Sequence, residues 1–230
     1  MLLYTEKPHY NRIRIKYLQN QHGNCIYKTK RTQVKVVVFE EERFILKEYT
    51  KKYVISSDVL KEVAIHSQLH HINIIKLHAA WETKYAFFLL LEYAENKDLF
   101  DFITSDGYKF NGIFFCDHIL HPLCCAITHL HEYDIAHTDI KPENIAFTSD
   151  GTLKLLDFGL AVRTYKDPYS FTFTHDYAAP ELLDGSNEVD EKKLDIWCIG
   201  VLASEMFYRD KANANRIVGD TSKHLARFIG

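Results

Sequence analysis

The octapeptide HTDIKPEN, residues 137–144, sets an acid, a lysine and an amide at Asp139, Lys141 and Asn144, with Pro142 stiffening the turn between them. Two readings are open. A proline-containing surface turn has this composition, and so does the polar floor of a site that moves a phosphoryl group. A second carboxylate follows in Asp157-Phe158-Gly159, then AAPE at 178–181 and DIWCIG at 195–200.

These residues need elements to position them. The chain has 230 residues, of which 47% are hydrophobic and 13% aromatic, so it can build a sizeable core as one large or two small cooperating domains. The first part reads as strands. VKVVVF (34–39) and RFILKEY (43–49) flank a run of three glutamates and predict a hairpin, and IIKLHAAW (74–81) and YAFFLLLEY (85–93) predict two more strands. Between them SSDVLKEVAIHSQL (56–69) carries Val59, Val63, Ile65 and Leu69 near helical spacing, with Ser56, Ser57 or Asp58 available as a cap.

The rest reads as mainly helical. Residues 116–133 carry Ile119, Leu120, Leu123, Ala126, Ile127 and Leu130 along one side. Two short strands are expected around Asp150-Gly151, and 194–208 is apolar nearly all round, as a buried helix would be.

Bulk properties exclude other classes. Net charge is −3, which does not indicate a nucleic-acid or anionic-membrane partner. Five cysteines form no CxxC pair and are read as reduced, mostly buried thiols of a cytoplasmic or nuclear protein, without a zinc site. No run of 18 apolar residues occurs, so no transmembrane helix is expected, and residues 1–17 lack the apolar core of a secretory signal.

HTDIKPEN, DFG, AAPE and DIWCIG, in this order and behind a lysine-bearing strand, closely resemble the eukaryotic protein kinase family over about residues 20–230. The resemblance implies an α+β, two-lobed fold. Residues 1–91 would form an antiparallel sheet plus one helix, 92–98 a hinge, and 99–230 a mainly helical lobe lacking its last helices. It implies ATP and Mg²⁺ as cofactors and a protein Ser/Thr hydroxyl as acceptor. Asp139 would orient that hydroxyl, Lys141 would stabilise the moving phosphate, and Asn144 and Asp157 would hold the metal as hard oxygen ligands. Lys47 stands where the family has the lysine of VAIK, and Glu62 where it has the helix glutamate that holds this lysine. HHINII (70–75) follows Glu62 much as the family's HPNI does. Leu91 takes the gatekeeper position, and the backbone of Glu92, Tyr93 and Ala94 would meet adenine. Asp98 would meet the ribose, or equally cap a helix starting at Leu99. THDYAAPE (174–181) fits the Ser/Thr pattern, with Thr174 lining the acceptor site. ELLDG (181–185) and GDTSKHLARFIG (219–230) resemble the cyclin-dependent and MAP kinase group, and the glycine-poor nucleotide loop resembles monomeric CDK-activating kinases of fungi.

Departures from the pattern weigh on activity. The glycine-rich loop is absent. It could register on QNQHGN (19–24), with Gly23, or on KTKRTQ (28–33), with none. The second is preferred because it leaves a short hairpin before Lys47. Ile45 replaces the family's alanine and Ala146 its leucine in the adenine pocket, a volume-conserving exchange. Thr138 replaces the arginine that pairs with a phosphorylated activation loop. Family members continue past the position of Gly230. Either this is a reduced kinase or the chain is incomplete; without those helices the second lobe is expected to expose apolar surface that a partner protein covers, and Glu181 to be solvated or paired with Arg209 or Arg227. A catalytically inactive binding module with the same fold is the competing reading.

Overall fold

The computed structural model describes residues 1–6, 12–21, 23–105, 111–164, 175–183 and 189–208. The chain divides into two compact units: Met1–His70 with Ile74–Glu95, and His71–Asn73 with everything from Asn96 onward. The sequence division at residue 91 put His71–Asn73 in the first lobe. They belong to the second unit, because Asn73 donates from Nδ2 to the Leu153 carbonyl (3.0 Å) and accepts at its own carbonyl from Leu155 N–H (2.8 Å).

The first unit is a six-stranded antiparallel sheet with one helix against each face. Its elements are β1 (Leu2–Thr5), α1 (Arg12–Gln19), β2 (Asn24–Lys28), β3 (Thr32–Phe39), β4 (Glu42–Thr50), α2 (Ser56–His66), β5 (Leu77–Glu82) and β6 (Ala86–Glu92), with strand order β1-β5-β6-β4-β3-β2. Strand alternation sorts the side chains. Ala86, Phe88 and Leu90 of β6 join Phe44 and Leu46 of β4 and Val37 of β3 under Ile15 and Leu18 of α1. Phe87 and Leu89 join Val59 and Val63 of α2, with Leu91 packed alongside. A register shift between Leu77 and Ala79 turns β5, so that Leu77 and Ala80 face α2 while Ala79 and Trp81 face α1.

α1 and β1 were not expected, and the fold therefore has two helices on its sheet instead of one. The signal lies in β6, whose unbroken run AFFLLL is apolar on both faces, as a strand covered on both sides must be. Polar bonds fix α1 in place. Lys35 Nζ donates to the carbonyls of Gln19 (3.4 Å) and Gln21 (2.9 Å) at the helix C-terminus, where a cation is favourable, and Trp81 Nε1 donates to Gln19 Oε1 (3.2 Å).

Both early hairpins are tight. β3 and β4 join at Glu40 and Glu41, whose φ values of 51° and 67° match a mirror-image turn usually built with glycine. β2 and β3 join at residues 29–31, the preferred register for the missing glycine loop. Gly23 instead lies against β3, where a Cβ would run into the Val36 carbonyl oxygen.

The second unit opens with α3 (Leu99–Thr104). After residue 111 come α4 (Gly112–Phe115), one π-helical turn (Cys116–Leu120) and α5 (His121–Glu132). Pro122 accounts for the π turn, since it has no N–H to give the preceding turn and its ring crowds the carbonyl four residues back. No transmembrane helix was expected from the apolar runs, but by length and composition Gly112–Glu132 is long and apolar enough to cross a membrane. Ile119, Leu123, Ala126, Ile127 and Leu130 of this stretch are nonetheless buried as the core stripe.

The short strands β7 (Ile135–Ala136), β8 (Ile145–Phe147), β9 (Leu153–Leu155) and β10 (Val162–Arg163) pair as β7-β10 and β8-β9, the latter turning at Gly151 with φ 85°. A short helix α6 (Pro180–Leu183) and the long α7 (Glu191–Tyr208) follow. α7 is not buried all round: Leu194, Val201 and Leu202 are buried, whereas Ile196 is 52% exposed. The expectations about residues past 208, including Arg209 and Arg227, lie outside the described residues. The cysteines depart from the expectation of mostly buried thiols: Cys198 is buried, whereas Cys25, Cys116 and Cys124 are exposed.

Truncating Leu18, which is fully buried between α1 and the sheet, is expected to test this packing. Leu18→Ala should lower stability by about 2–5 kcal/mol, read as a lower urea midpoint.

Candidate active site

Alternation along β4 points Ile45, Lys47 and Tyr49 to one face, the face covered by α2. Glu62, on the second turn of α2, meets them there at 3% exposure. Lys47 Nζ lies 3.1 Å from Glu62 Oε1, and the Tyr49 hydroxyl donates to Glu62 Oε2 at 2.6 Å. The Lys47 ammonium also sits 5.0 Å from the centre of the Tyr49 ring. A buried carboxylate is tolerable because both its oxygens are served. The start of α2 differs from expectation. Ile55 is the N-cap, and no side chain caps the helix; Ser57 Oγ reaches only Asp58 Oδ1. Asp58 in the first turn still suits the positive end of the helix.

Leu91 pairs with Ile45 across β6 and β4. Glu92 ends β6, where its N–H donates to the Lys76 carbonyl (2.9 Å) and its Oε2 accepts from Lys76 N–H (3.1 Å). Tyr93 and Ala94 follow, half-buried.

In the second unit the segment 137–144 is tied to a carboxylate that the sequence reading had noted only as part of DIWCIG. Asp195, in the first turns of α7, is fully buried. Its Oδ2 accepts from His137 N–H (2.9 Å) and lies 2.9 Å from His131 Nε2, and its Oδ1 accepts from Thr138 N–H (2.8 Å). Asp195 is the single charge in the run LDIWCIGVL, and a buried charge in such a run has to be partnered. That was the available signal.

These bonds hold Thr138 at φ 63°, a conformation β-branched residues avoid. The Thr138 hydroxyl donates to the Leu160 carbonyl (2.8 Å), just past the DFG turn. His137 is buried and bridges the same two segments. Asp139 N–H donates to its Nδ1 (3.3 Å), which leaves the proton on Nε2, 2.8 Å from the Leu156 carbonyl. Phe158 packs edge-on against the His137 ring.

The carboxylate of Asp139 then gathers the remaining polar groups. Lys141 Nζ contacts Oδ1 (2.9 Å) and Oδ2 (2.7 Å), and Asn144 Nδ2 donates to Oδ2 (2.9 Å) and to the Asp139 carbonyl (2.8 Å). Leu156 N–H donates to the Asn144 carbonyl (2.8 Å), so Asp157 follows directly on the residue bonded to Asn144, two positions past the end of β9. Asp157 is exposed at φ 54°, with Gly159 N–H donating to its Oδ1 (3.1 Å). Because the Asn144 amide nitrogen is committed to Asp139, its Oδ1 is left as a neutral hard donor, and Asp157, next in chain to the residue bonded to Asn144, offers a carboxylate. That pair fits Mg²⁺, which binds one or two protein oxygens and takes its other ligands from phosphate and water. Among the described residues no three His, Cys, Asp or Glu side chains group as a metal cage.

Of the remaining sequence-predicted residues, Asp98 caps α3 by accepting from Asp101 N–H (2.7 Å), and burial raises its carboxyl pKa. Ala146 is buried in β8 and bridges Asp98. Glu181 lies half-buried on α6. Thr174 lies outside the described residues.

The protein kinase domain family matches residues 23–227, and the chain belongs to that family. It is 36% identical over 148 residues to an Aurora kinase of Encephalitozoon cuniculi, covering 64% of this chain and 53% of that protein. It is 34% identical over 179 residues to myosin light chain kinase 3 of Rattus norvegicus, covering 75% and 22%. It is also 36% identical over 149 residues to the serine/threonine-protein kinase cds1 of Schizosaccharomyces pombe, covering 61% and 32%. The chain thus spans about half or less of the length of these curated relatives.

Asp195→Asn replaces one acceptor oxygen with an N–H₂ that faces a donor. It should cost about 1–3 kcal/mol, measured by urea unfolding, while an exposed control such as Asp101→Asn should leave the midpoint nearly unchanged.

Proposed function

We propose that the chain is a serine/threonine protein kinase that transfers the γ-phosphate of ATP, with Mg²⁺, to a protein hydroxyl. The observation that carries this reading is the Asp139–Lys141–Asn144 cluster, joined through Leu156 to Asp157. Phosphoryl transfer asks mainly for positioning and charge neutralisation, and these residue types supply both. Asp139 orients the acceptor hydroxyl and takes its proton as the hydroxyl oxygen bonds the γ-phosphorus and the bond from that phosphorus to the β–γ bridging oxygen breaks, releasing ADP. Lys141, already salt-bridged to Asp139, neutralises charge on the phosphoryl oxygens. Asn144 and Asp157 hold Mg²⁺, which supplies further neutralisation of the phosphates. From the first unit, Lys47 meets the α- and β-phosphates and Glu62 holds Lys47.

Because the Glu92 amide already bonds Lys76, adenine recognition falls to the Glu92 carbonyl and the Ala94 backbone, with Leu91, Ile45 and Ala146 shaping the pocket. Asp98 adds a ribose contact to its capping bond.

One observation favours the competing reading of an inactive binding module. In the β2–β3 turn the amides of Arg31 and Thr32 donate to the Thr29 hydroxyl, at 3.1 and 3.0 Å. Those amides are committed to the turn itself, whereas a glycine loop keeps its amides for phosphates. Lys28, Lys30 and Arg31 are exposed there and offer charge instead.

A narrower version places the chain near the cyclin-dependent group, with another kinase's activation loop as substrate. It rests on ELLDG and GDTSKHLARFIG, which lie partly or wholly outside the described residues. A protein partner bound to the second unit belongs to the same proposal.

The test is phosphate transfer from labelled ATP to a peptide library. Serine and threonine peptides should be labelled, and Asp157→Asn should remove the signal. No transfer by the native chain, together with no thermal shift on adding Mg-ATP, would favour the inactive module. Ala146→Leu should overfill the adenine pocket and weaken ATP binding about tenfold or more, read by titration; an unchanged affinity rejects the volume exchange with Ile45.

A further inference from the structure

We propose that Tyr49 is a positioning residue for phosphoryl transfer: its hydroxyl holds the second oxygen of Glu62, and through Glu62 it holds Lys47. The inference deepens the kinase reading and rests on it for its catalytic consequence.

The Lys47–Glu62 pair alone leaves one carboxylate oxygen unserved at a site where Glu62 is 3% exposed. Tyr49 closes that gap at 2.6 Å. It can do so because it stands two residues past Lys47 on the same strand, so both side chains leave the same face of β4. The strand is rigid there. β4 is paired on both sides, with Val34 and Thr32 of β3 opposite Lys47 and Tyr49, and Leu89 and Phe87 of β6 opposite them on the other edge. Glu62 is therefore held at two points by one strand, and the carboxylate cannot rotate about its bond to Lys47 without breaking a charge-assisted hydrogen bond.

The ring has a second effect. Lying 5.0 Å from the Lys47 ammonium, it limits the directions the amine can take. When Lys47 shares its ammonium with phosphate oxygens, its bond to Glu62 weakens; the tyrosine hydroxyl keeps Glu62 in place at that moment. α2 begins without a side-chain cap, so this bond also ties the helix to the sheet.

Tyr49→Phe keeps the ring and removes only the hydroxyl. In the full chain it should lower kcat/KM for ATP roughly tenfold, the scale of one hydrogen bond to a charged group, with KM for the peptide unchanged. In a Glu62→Ala background, which leaves the hydroxyl no partner at residue 62, the same substitution should change kcat/KM less than twofold. A purely structural role would instead lower the urea midpoint and leave the ATP dependence alone. Wild-type kinetics in Tyr49→Phe, or an undiminished effect in Glu62→Ala, overturns the proposal.

If the native chain transfers no phosphate, the kinase reading fails separately. The hold on Lys47 is then read by its acylation rate with acetic anhydride, mapped by peptide mass. That rate should rise several-fold in Tyr49→Phe, and an unchanged rate overturns the hold itself.

Discussion

The buried carboxylate of Asp195 is the constraint on which the second unit depends. It accepts from two successive main-chain amides, His137 and Thr138, and also meets His131 of α5. Both amides point at this carboxylate with Thr138 at φ 63°, and the bonds to a full negative charge offset the strain. With residues 137 and 138 fixed, Asp139 is aimed, and Lys141 and Asn144 close on it. Pro142 and the 3₁₀ turn Pro142–Asn144 keep the loop short enough for that closure.

Thr138 also shows how a charged residue can be replaced without losing its segment. The related position in the family carries an arginine that answers to a phosphorylated loop. A threonine cannot pair with phosphate as a guanidinium does. Its hydroxyl instead bonds Leu160, and His137 bonds Leu156, so the DFG turn is bracketed on both sides by uncharged hydrogen bonds.

The first unit solves a different problem. Its central strands are apolar on both faces, and a helix covers each. α2 brings a functional carboxylate with its apolar stripe. α1 brings only packing, and it is anchored by Lys35 at its C-terminus and by Trp81 through Gln19. Rigidity of β4 follows from being sandwiched, and the geometry of Lys47, Tyr49 and Glu62 follows from that rigidity. A site placed on such a strand is held more tightly than one on a loop.

Much of this was legible in the residues themselves. The alternation and turn chemistry of 34–49, the Asp150-Gly151 turn and the ordered motifs are local patterns, set within a few residues of chain by sterics and hydrogen bonding, and they suffice for the family and for most strands and helices, though not for β1 and α1. The both-sided apolar run of β6 even contained the need for α1, though not its position. What only the tertiary structure decided are the partnerships of distant residues: Asp195 with His137, 58 positions apart, Glu62 with the hydroxyl of Tyr49, and Asn73 with Leu153. Periodicity reports which face a side chain leaves, but a hydrogen bond depends on where two such faces meet, and that is fixed by packing rather than by spacing along the chain.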